Sequence, residues 1–183
     1  LNNKYQKKIN LIDNHIKIIY VGEVSKNKNI ITTIKSCDLL IKQGYNVEFA
    51  VIGQITYNNI KRIIKEKKYI KYYPKSNKEF ILAMLREYDF FVMPSIYETF
   101  GLVYAEALSQ GLPIIYTKNQ GFDGFFKQGE VGFGVSKYDH ISIANYLLKI
   151  KEEYMLYSNR CIQKSEQFCW SFITNKYIKE YEK

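Results

Sequence analysis

The stretch Ile16 to Ile52, IKIIYVGEVSKNKNIITTIKSCDLLIKQGYNVEFAVI, reads in succession as strand, loop, helix and strand. Its first run, Ile16–Val21, is apolar and β-branched and is broken by Gly22. Asn29–Gln43 then places Ile30, Ile34, Cys37, Leu40 and Ile41 near helical spacing, with Gly44 at the C-terminal end. Val47–Ile52 is the second strand.

The alternation continues outward. A helix over Tyr57–Lys67 precedes a short strand, Tyr69–Tyr73, closed by Pro74. Ser76 caps a helix running to Arg86, with Glu79 completing a capping box. Asp89–Met93 is a strand stopped by Pro94, Thr99–Gln110 a helix ended by Gly111, and Pro113–Tyr116 a further strand. After a glycine-rich stretch, Val131–Val135 reads as a last strand, followed by helices over about Ile141–Leu156 and Ser171–Tyr181. This order predicts an α/β fold, a Rossmann-like doubly wound parallel sheet covered on both faces. Residues 1–14 read as a lead-in segment and 15–183 as a single domain. Ligands of such sheets bind at the carboxyl ends of the strands. The loops beginning at Gly22, Gly53, Pro74, Pro94 and Thr117 are therefore the ones to inspect.

Composition narrows the class. Of 183 residues, 46% are apolar and 25% charged, which excludes disordered, collagenous and coiled-coil chains. No apolar run approaches the roughly 20 residues of a membrane-spanning helix. The first residues are rich in Asn and Lys with no apolar stretch, so no signal peptide is expected. The chain begins at Leu1 rather than Met, as a piece of a longer protein would. Cys37, Cys161 and Cys169 form no C-x-x-C and read as thiols in a reducing cytoplasm. His15 and His140 are isolated, so no zinc site is expected.

A net charge of +9 suits an anionic ligand, an anionic membrane surface or nucleic acid. The densest cluster is Lys61, Arg62, Lys65, Lys67, Lys68, Lys71 and Lys75 against the lone Glu66. Such runs are most often solvated helix faces. Membrane contact is the functional alternative, and no recognition motif accompanies the charge to favour nucleic acid.

The stretch Pro94–Pro113, PSIYETFGLVYAEALSQGLP, carries the chemistry. A buried strand ends at Pro94 and a helix starts near Thr99. The N–H groups of Phe100, Gly101 and Leu102 are then unpaired donors of a helix N-terminus, which binds phosphate. Gly101 has no Cβ and lets a ligand approach the backbone. Glu98 sits just before this helix and Glu106 two turns into it, and eight residues of helix rise about 12 Å. That exceeds the roughly 5–9.5 Å of a glycosidase pair. The two carboxylates could touch two ends of an extended ligand. On charge spacing alone the favoured reading is that Glu98 faces the helix dipole and Glu106 solvent.

The same string closely resembles the Glu-x7-Glu signature of glycosyltransferase family 4, the retaining sugar-nucleotide-dependent enzymes of GT-B fold. Every fixed position of P-S-x-x-E-x-F-G-L-x-x-x-E-A-x-x-x-G-x-P is met between Pro94 and Pro113. Tyr20–Asn29 is similar to the family's V-G-x-x-x-x-x-K-N/G loop, and Trp170 with Tyr177 and Tyr181 to its closing segment. The resemblance covers residues 16–183 and matches only the C-terminal, donor-binding half of such an enzyme. The acceptor-binding half is absent from this chain.

The resemblance implies a set of roles. Glu106 would bond the ribose hydroxyls of the nucleotide, and Glu98 would contact the donor sugar. Lys28 would neutralise the pyrophosphate, while the Phe100, Gly101 and Leu102 amides cradle phosphate and sugar. Gly22 would let the first loop pass close to the donor. Tyr73 ends the third strand, where the nucleobase lies in similar proteins. Glu98 and Lys28 are the implied catalytic residues. One departure stands out: many members carry Arg directly after the glycine, and here it is Glu23. A carboxylate aimed at pyrophosphate would repel it, so Glu23 is expected to turn away.

The implied substrate is a UDP- or GDP-linked sugar, with no cofactor and no metal; the chain contains no Asp-x-Asp. Retention in this family is attributed to same-face attack, so Glu98 is not assigned as a nucleophile. The implied setting is bacterial polysaccharide or glycolipid assembly; the thiols suggest the cytoplasm, and the Lys61–Lys75 cluster suggests peripheral contact at the inner face of the cell membrane. The implied partners are the nucleotide-sugar and the missing N-terminal domain, and not nucleic acid. The isolated domain is expected to bind nucleotide without transferring sugar. The alternatives are another GT-B enzyme, an epimerase or phosphorylase, and a non-enzymatic basic module that associates with membranes.

Three weaker features complete the reading. Gly129–Gly134 has the order G-x-x-G-x-G, which reads as a turn entering the last strand rather than a dinucleotide fingerprint. Gly121–Gly124 could border the donor sugar or be a tight turn. The helical stripe Phe172, Ile173, Tyr177, Ile178 and Tyr181 would pack on this domain or, as in GT-B enzymes, stay exposed and reach toward the other half.

Overall fold

The computed structural model describes residues 14–181, so the expected lead-in lies outside it apart from Asn14. Six strands form one sheet: β1 (His15–Val21), β2 (Asn46–Ile52), β3 (Ile70–Tyr73), β4 (Phe90–Val92), β5 (Ile114–Thr117) and β6 (Gly132–Val135). Between and after them run α1 (Ile30–Lys42), α2 (Asn58–Glu66), α3 (Lys78–Glu87), α4 (Leu102–Ser109), α5 (His140–Glu152), α6 (Tyr154–Lys164) and α7 (Trp170–Tyr181). A 3-10 turn over Ser165–Phe168 links the last two helices.

All five strand pairings are parallel and the order is β3-β2-β1-β4-β5-β6. This is the doubly wound arrangement, with its topological switch point between β1 and β4. Helices cover both faces, so the C-terminal parts of β1 and β2 are continuously apolar, and only their N-terminal ends alternate, at Lys17 and Glu48. Ile18, Ile19 and Tyr20 of β1 lie in register with Phe49, Ala50 and Val51 of β2, and all six are fully buried. Phe90, Phe91 and Val92 fill the same layer from β4. Each such side chain contributes about 1.5–3 kcal/mol by burial.

Three boundaries differ from the sequence reading. Asn77, not Ser76, caps α3: its Oδ1 accepts from the Phe80 amide at 2.9 Å. Ser76 is occupied in the preceding turn, donating to the Pro74 carbonyl at 2.9 Å. α4 begins at Leu102 rather than Thr99, because Gly101 adopts a left-handed φ of 74° and starts the helix there. The expected long helix to Leu156 breaks at Glu153 into α5 and α6. The break turns Tyr154 into the core, where its hydroxyl donates to the Asp89 carbonyl at 2.9 Å and its ring meets Phe90 edge-on. An apolar period running through the break conceals it in the sequence.

Most aromatic residues are packing elements, as expected. Phe122 is fully buried and joins Phe100, Phe125, Phe126 and Phe168 in one cluster beside α4. The α7 stripe differs: Phe172, Tyr177, Ile178 and Tyr181 are all exposed, Tyr181 at 86%. Among the described residues no helix is long and apolar enough to cross a membrane.

Candidate functional site

The loops after β1 and β4 flank the switch point, and side chains zip them together. Asn27 Nδ2 donates to the Tyr97 carbonyl at 2.9 Å, and the Tyr97 amide donates back to Asn27 Oδ1 at 3.0 Å. The Ile96 amide reaches the Asn27 carbonyl at 2.7 Å. One residue further along each loop, Lys28 Nζ donates to Glu98 Oε2 at 2.6 Å. Side-chain exposure there is 22% for Lys28 and 8% for Glu98.

Glu98 is held from three loops. Beside Lys28, Ser95 Oγ lies 3.4 Å from the same carboxylate oxygen. The Glu98 amide donates to Gln120 Oε1 at 3.0 Å, and its carbonyl accepts from the Gly121 amide at 2.9 Å. Gly121 is obligatory: a Cβ there would sit 1.4 Å from the Thr99 carbonyl oxygen. The turn at Gly121–Gly124 thus supports the glutamate loop from below.

Asn29 anchors the other side. It is buried, with a left-handed φ of 52°. Its Nδ2 donates to the Pro94 carbonyl at 2.9 Å and to the Lys137 carbonyl, while its Oδ1 accepts from Thr32 Oγ1 at 2.9 Å. Left-handed backbone is open to Gly and, among residues with side chains, chiefly to Asn and Asp.

Two buried tyrosines stand beneath the loops. Burial, and after it the Glu23 and Glu98 carboxylates, push the Tyr20 hydroxyl far above its ordinary range. It stays protonated and donates to the Glu23 carbonyl at 2.6 Å. Burial, then Glu98, does the same to Tyr104, which donates to the Met93 carbonyl at 2.6 Å.

α4 opens against this floor. Gly101 is forced by crowding as well as by φ, since a Cβ would lie 2.7 Å from the Tyr104 ring. Among the described residues the amides of Phe100, Gly101 and Leu102 donate no hydrogen bond. With the helix dipole behind them they can receive an anion. The Phe100 ring points elsewhere, into the cluster with Phe125 and Phe168 at 5.2 and 5.6 Å, so only its amide faces this turn.

The remaining expected residues are placed as follows. Gly22 lies where β1 leaves the sheet, its amide bonded to the Ile52 carbonyl, and its own carbonyl oxygen would be 1.8 Å from a Cβ on Gly53. Glu106 stands within α4, as expected, and its Oε1 lies 3.9 Å from Lys78 Nζ. No contact among the described residues joins it to the Lys28–Glu98 pair. Tyr73 ends the edge strand, its carbonyl accepting from the Gly53 amide at 3.0 Å and its ring against Phe80 at 5.7 Å. It is separated from β1 by β2. Glu23 turns its carboxylate to Thr56 Oγ1, at 2.6 Å, in the loop after β2.

The sequence reading missed Asn27, Asn29, Ser95 and Gln120. Asn29 carried a signal, as one of the two residues that the K-N/G position admits and that tolerate the left-handed backbone found there. Asn27 and Gln120 act through partners 70 and 22 residues away, which no local pattern reveals, whereas Ser95 lies three residues from Glu98 within the same string.

Comparison with known proteins matches this architecture. The family described as "Glycosyl transferases group 1" matches residues 2–168. Among curated relatives, the chain is 32% identical over 156 residues to the capsular polysaccharide biosynthesis glycosyltransferase CapM of Staphylococcus aureus. The match takes in 81% of this chain but only 40% of that protein. Among solved structures, the pneumococcal O-GlcNAc transferase GtfA, in complex with UDP and GlcNAc, superposes with a TM-score of 0.77 at 20% identity over 98% of this chain and 38% of its own. Anabaena HepE, in complex with UDP and glucose, gives a TM-score of 0.76 at 17% identity, over 92% of this chain and 48% of its own.

Proposed function

The chain belongs to the group 1 glycosyl transferases, and from that membership we propose that it is the donor-binding half of a retaining glycosyltransferase that moves a sugar from a nucleotide-sugar to an acceptor during polysaccharide or glycolipid synthesis. The observation that carries the reading is the Lys28–Glu98 pair at the switch point, its carboxylate close enough to the start of α4 that a Cβ on Gly101 would lie 3.3 Å from Glu98 Cδ. A cation, a fixed carboxylate and free N–H groups are the parts that a sugar diphosphate needs. GtfA and HepE, which share the fold, are described in complex with UDP and a sugar.

Breaking the anomeric C–O bond leaves positive charge on the sugar and negative charge on the nucleoside diphosphate. Stabilising that leaving group with fixed donors is the main electrostatic task. Lys28 exchanges Glu98 for the pyrophosphate, and the Phe100, Gly101 and Leu102 amides take further phosphate oxygens. Glu98, released from Lys28, accepts from the sugar hydroxyls. Glu106 accepts from the ribose hydroxyls. Gly22 keeps the first loop close to the donor, and the backbone at Tyr73 borders the base. The donor is UDP- or GDP-linked and binds without metal. The acceptor hydroxyl attacks from the face the leaving group vacates, and the acceptor site lies in the N-terminal half that this chain lacks. The exposed α7 stripe suits contact with that half.

Transfer of radiolabelled sugar from UDP- and GDP-sugars to an acceptor tests the division of roles. The full-length protein is expected to transfer and this chain alone is not. Clear transfer by this chain alone would overturn the assignment.

A further inference from the structure

We propose that the face built from α2, the turn after it and β3 is a docking surface for an anionic phospholipid bilayer. The inference is independent of the donor-binding reading. α2 turns Ile60 and Ile64 into the core and presents Lys61, Arg62 and Lys65 outward. Lys61 and Lys65 share one stripe at four-residue spacing, and Lys68 extends it past the helix end. These three lysines rim a cavity of about 680 Å³ whose floor includes Ile64 and Ile70.

Neighbouring cations are already neutralised. Lys67 pairs with Asp38 at 2.7 Å, Lys71 with Glu48 at 2.6 Å, and Arg62 with Glu66 at 3.4 Å. Lys61, Lys65 and Lys68 form no ion pair among the described residues, and all three are exposed. An unpaired row of ammonium groups suits many phosphates in a plane rather than one phosphate in a cradle. The apolar floor adds what a soluble polyanion would not use: room for the glycerol and upper acyl region below a headgroup. Tyr72, 40% exposed, is held at the rim by its hydroxyl's bond to the Gly53 carbonyl at 3.0 Å. An aromatic ring with one polar end suits a membrane interface.

The position is compatible with an open ligand site. The cavity reaches Ile55, which bridges to Val24 in the loop after β1. The face thus abuts the strand-end loops, while Lys28 and Glu98 lie across β1 from it. Docked this way, the chain holds those loops beside the surface without covering them.

Vesicle co-sedimentation of this chain tests the proposal. Binding to vesicles containing phosphatidylglycerol is expected, with little to pure phosphatidylcholine, and it should vanish near 1 M salt, where the screening length is about 3 Å. Changing Lys61, Lys65 and Lys68 together to Gln should weaken binding about 100-fold, at about fivefold per lysine. Changing all three to Arg should preserve it. The same charge loss elsewhere, with Lys42, Lys127 and Lys149 changed to Gln, should cost no more than about threefold. All substituted side chains are exposed, and apart from Lys149 over the Phe133 ring at 5.4 Å none makes an ion pair or ring contact among the described residues, so the variants should unfold close to the wild-type temperature. Equal binding to the two lipid compositions, equal loss in both Gln variants, or tighter binding to single-stranded RNA of matched charge would overturn it.

Discussion

Lys28 and Glu98, 70 residues apart in the chain, meet at 2.6 Å across the β1/β4 switch point, one rung beyond the reciprocal bonds of Asn27 and Tyr97. In this arrangement the cation proposed for the pyrophosphate is already occupied by the carboxylate proposed for the sugar. A bare nucleoside diphosphate must compete for Lys28 and gives Glu98 nothing in return. Glu98→Gln should therefore tighten UDP or GDP binding about fivefold, the worth of about 1 kcal/mol for a partly exposed pair. It should not tighten binding of the sugar-nucleotide, which loses its own partner. Lys28→Ala should weaken both by about 10- to 100-fold. Calorimetry of the two variants with both ligands reads this directly, and weaker UDP binding by Glu98→Gln would exclude the competition.

Gly121 and Gly124 separate support of the site from ordinary turn geometry. A Cβ on Gly121 would overlap the Thr99 carbonyl, whereas one on Gly124, at φ 94°, would meet nothing within 4 Å. Gly121→Ala should cost about 3 kcal/mol or more and displace the Glu98 loop. Gly124→Ala should cost about 1 kcal/mol for its backbone conformation alone, with nucleotide binding intact. Thermal unfolding and calorimetry on the pair distinguish these outcomes, and equal effects would remove the proposed support.

Asn29 combines a backbone requirement with a side-chain bridge, and two substitutions divide them. Asn29→Ala should lose about 2–4 kcal/mol, from left-handed strain and from the bonds to Pro94, Lys137 and Thr32. Asn29→Gly keeps the conformation and loses only the bridge, so it should be the more stable of the two. Both should bind nucleotide about tenfold more weakly, because the loop that carries Lys28 is no longer tied to the Pro94 carbonyl and Lys28 is no longer positioned for the pyrophosphate. Wild-type affinity in Asn29→Gly would make the residue structural only.

Asp139 sets a pH dependence of stability. It caps α5, accepting from the Ser142 amide at 2.9 Å and from the Ser142 hydroxyl at 2.6 Å. The hydroxyl bond first, and then the amide bond, hold its pKa below the ordinary 3.8. A depressed folded pKa stabilises fully above the unfolded value, and the contribution is lost as pH falls through the folded one. Asp139→Ala should cost about 1 kcal/mol at neutral pH. The gap to wild type should close below pH 3.8. Urea unfolding at several pH values checks this, and a gap that is constant with pH would rule out the charged cap.

The fold was legible because its strands are buried on both faces and punctuated. Gly22, Gly53, Pro74 and Pro94 each mark the end of a strand. The site was legible in outline, since Glu98, Gly101 and Glu106 lie in one continuous string. Its assembly was not. Glu98 was expected just before a helix and does precede one, but the helix starts three residues later than Thr99, and residues 96–98 are committed to Asn27, Gln120 and Gly121 from other loops. The cap at Ser76 and the join at Glu153 were misread for a similar reason. A nearby turn in one case, and a buried tyrosine in the other, overrode the local pattern.

Calorimetric titration of this chain with UDP, GDP and ADP, with and without magnesium, beside Glu106→Ala, tests the central claim most directly. The account expects one of the nucleotides to bind independently of metal, with affinity about 10- to 100-fold lower in Glu106→Ala. Binding unchanged by that substitution, or absent both here and in the full-length protein, would contradict it.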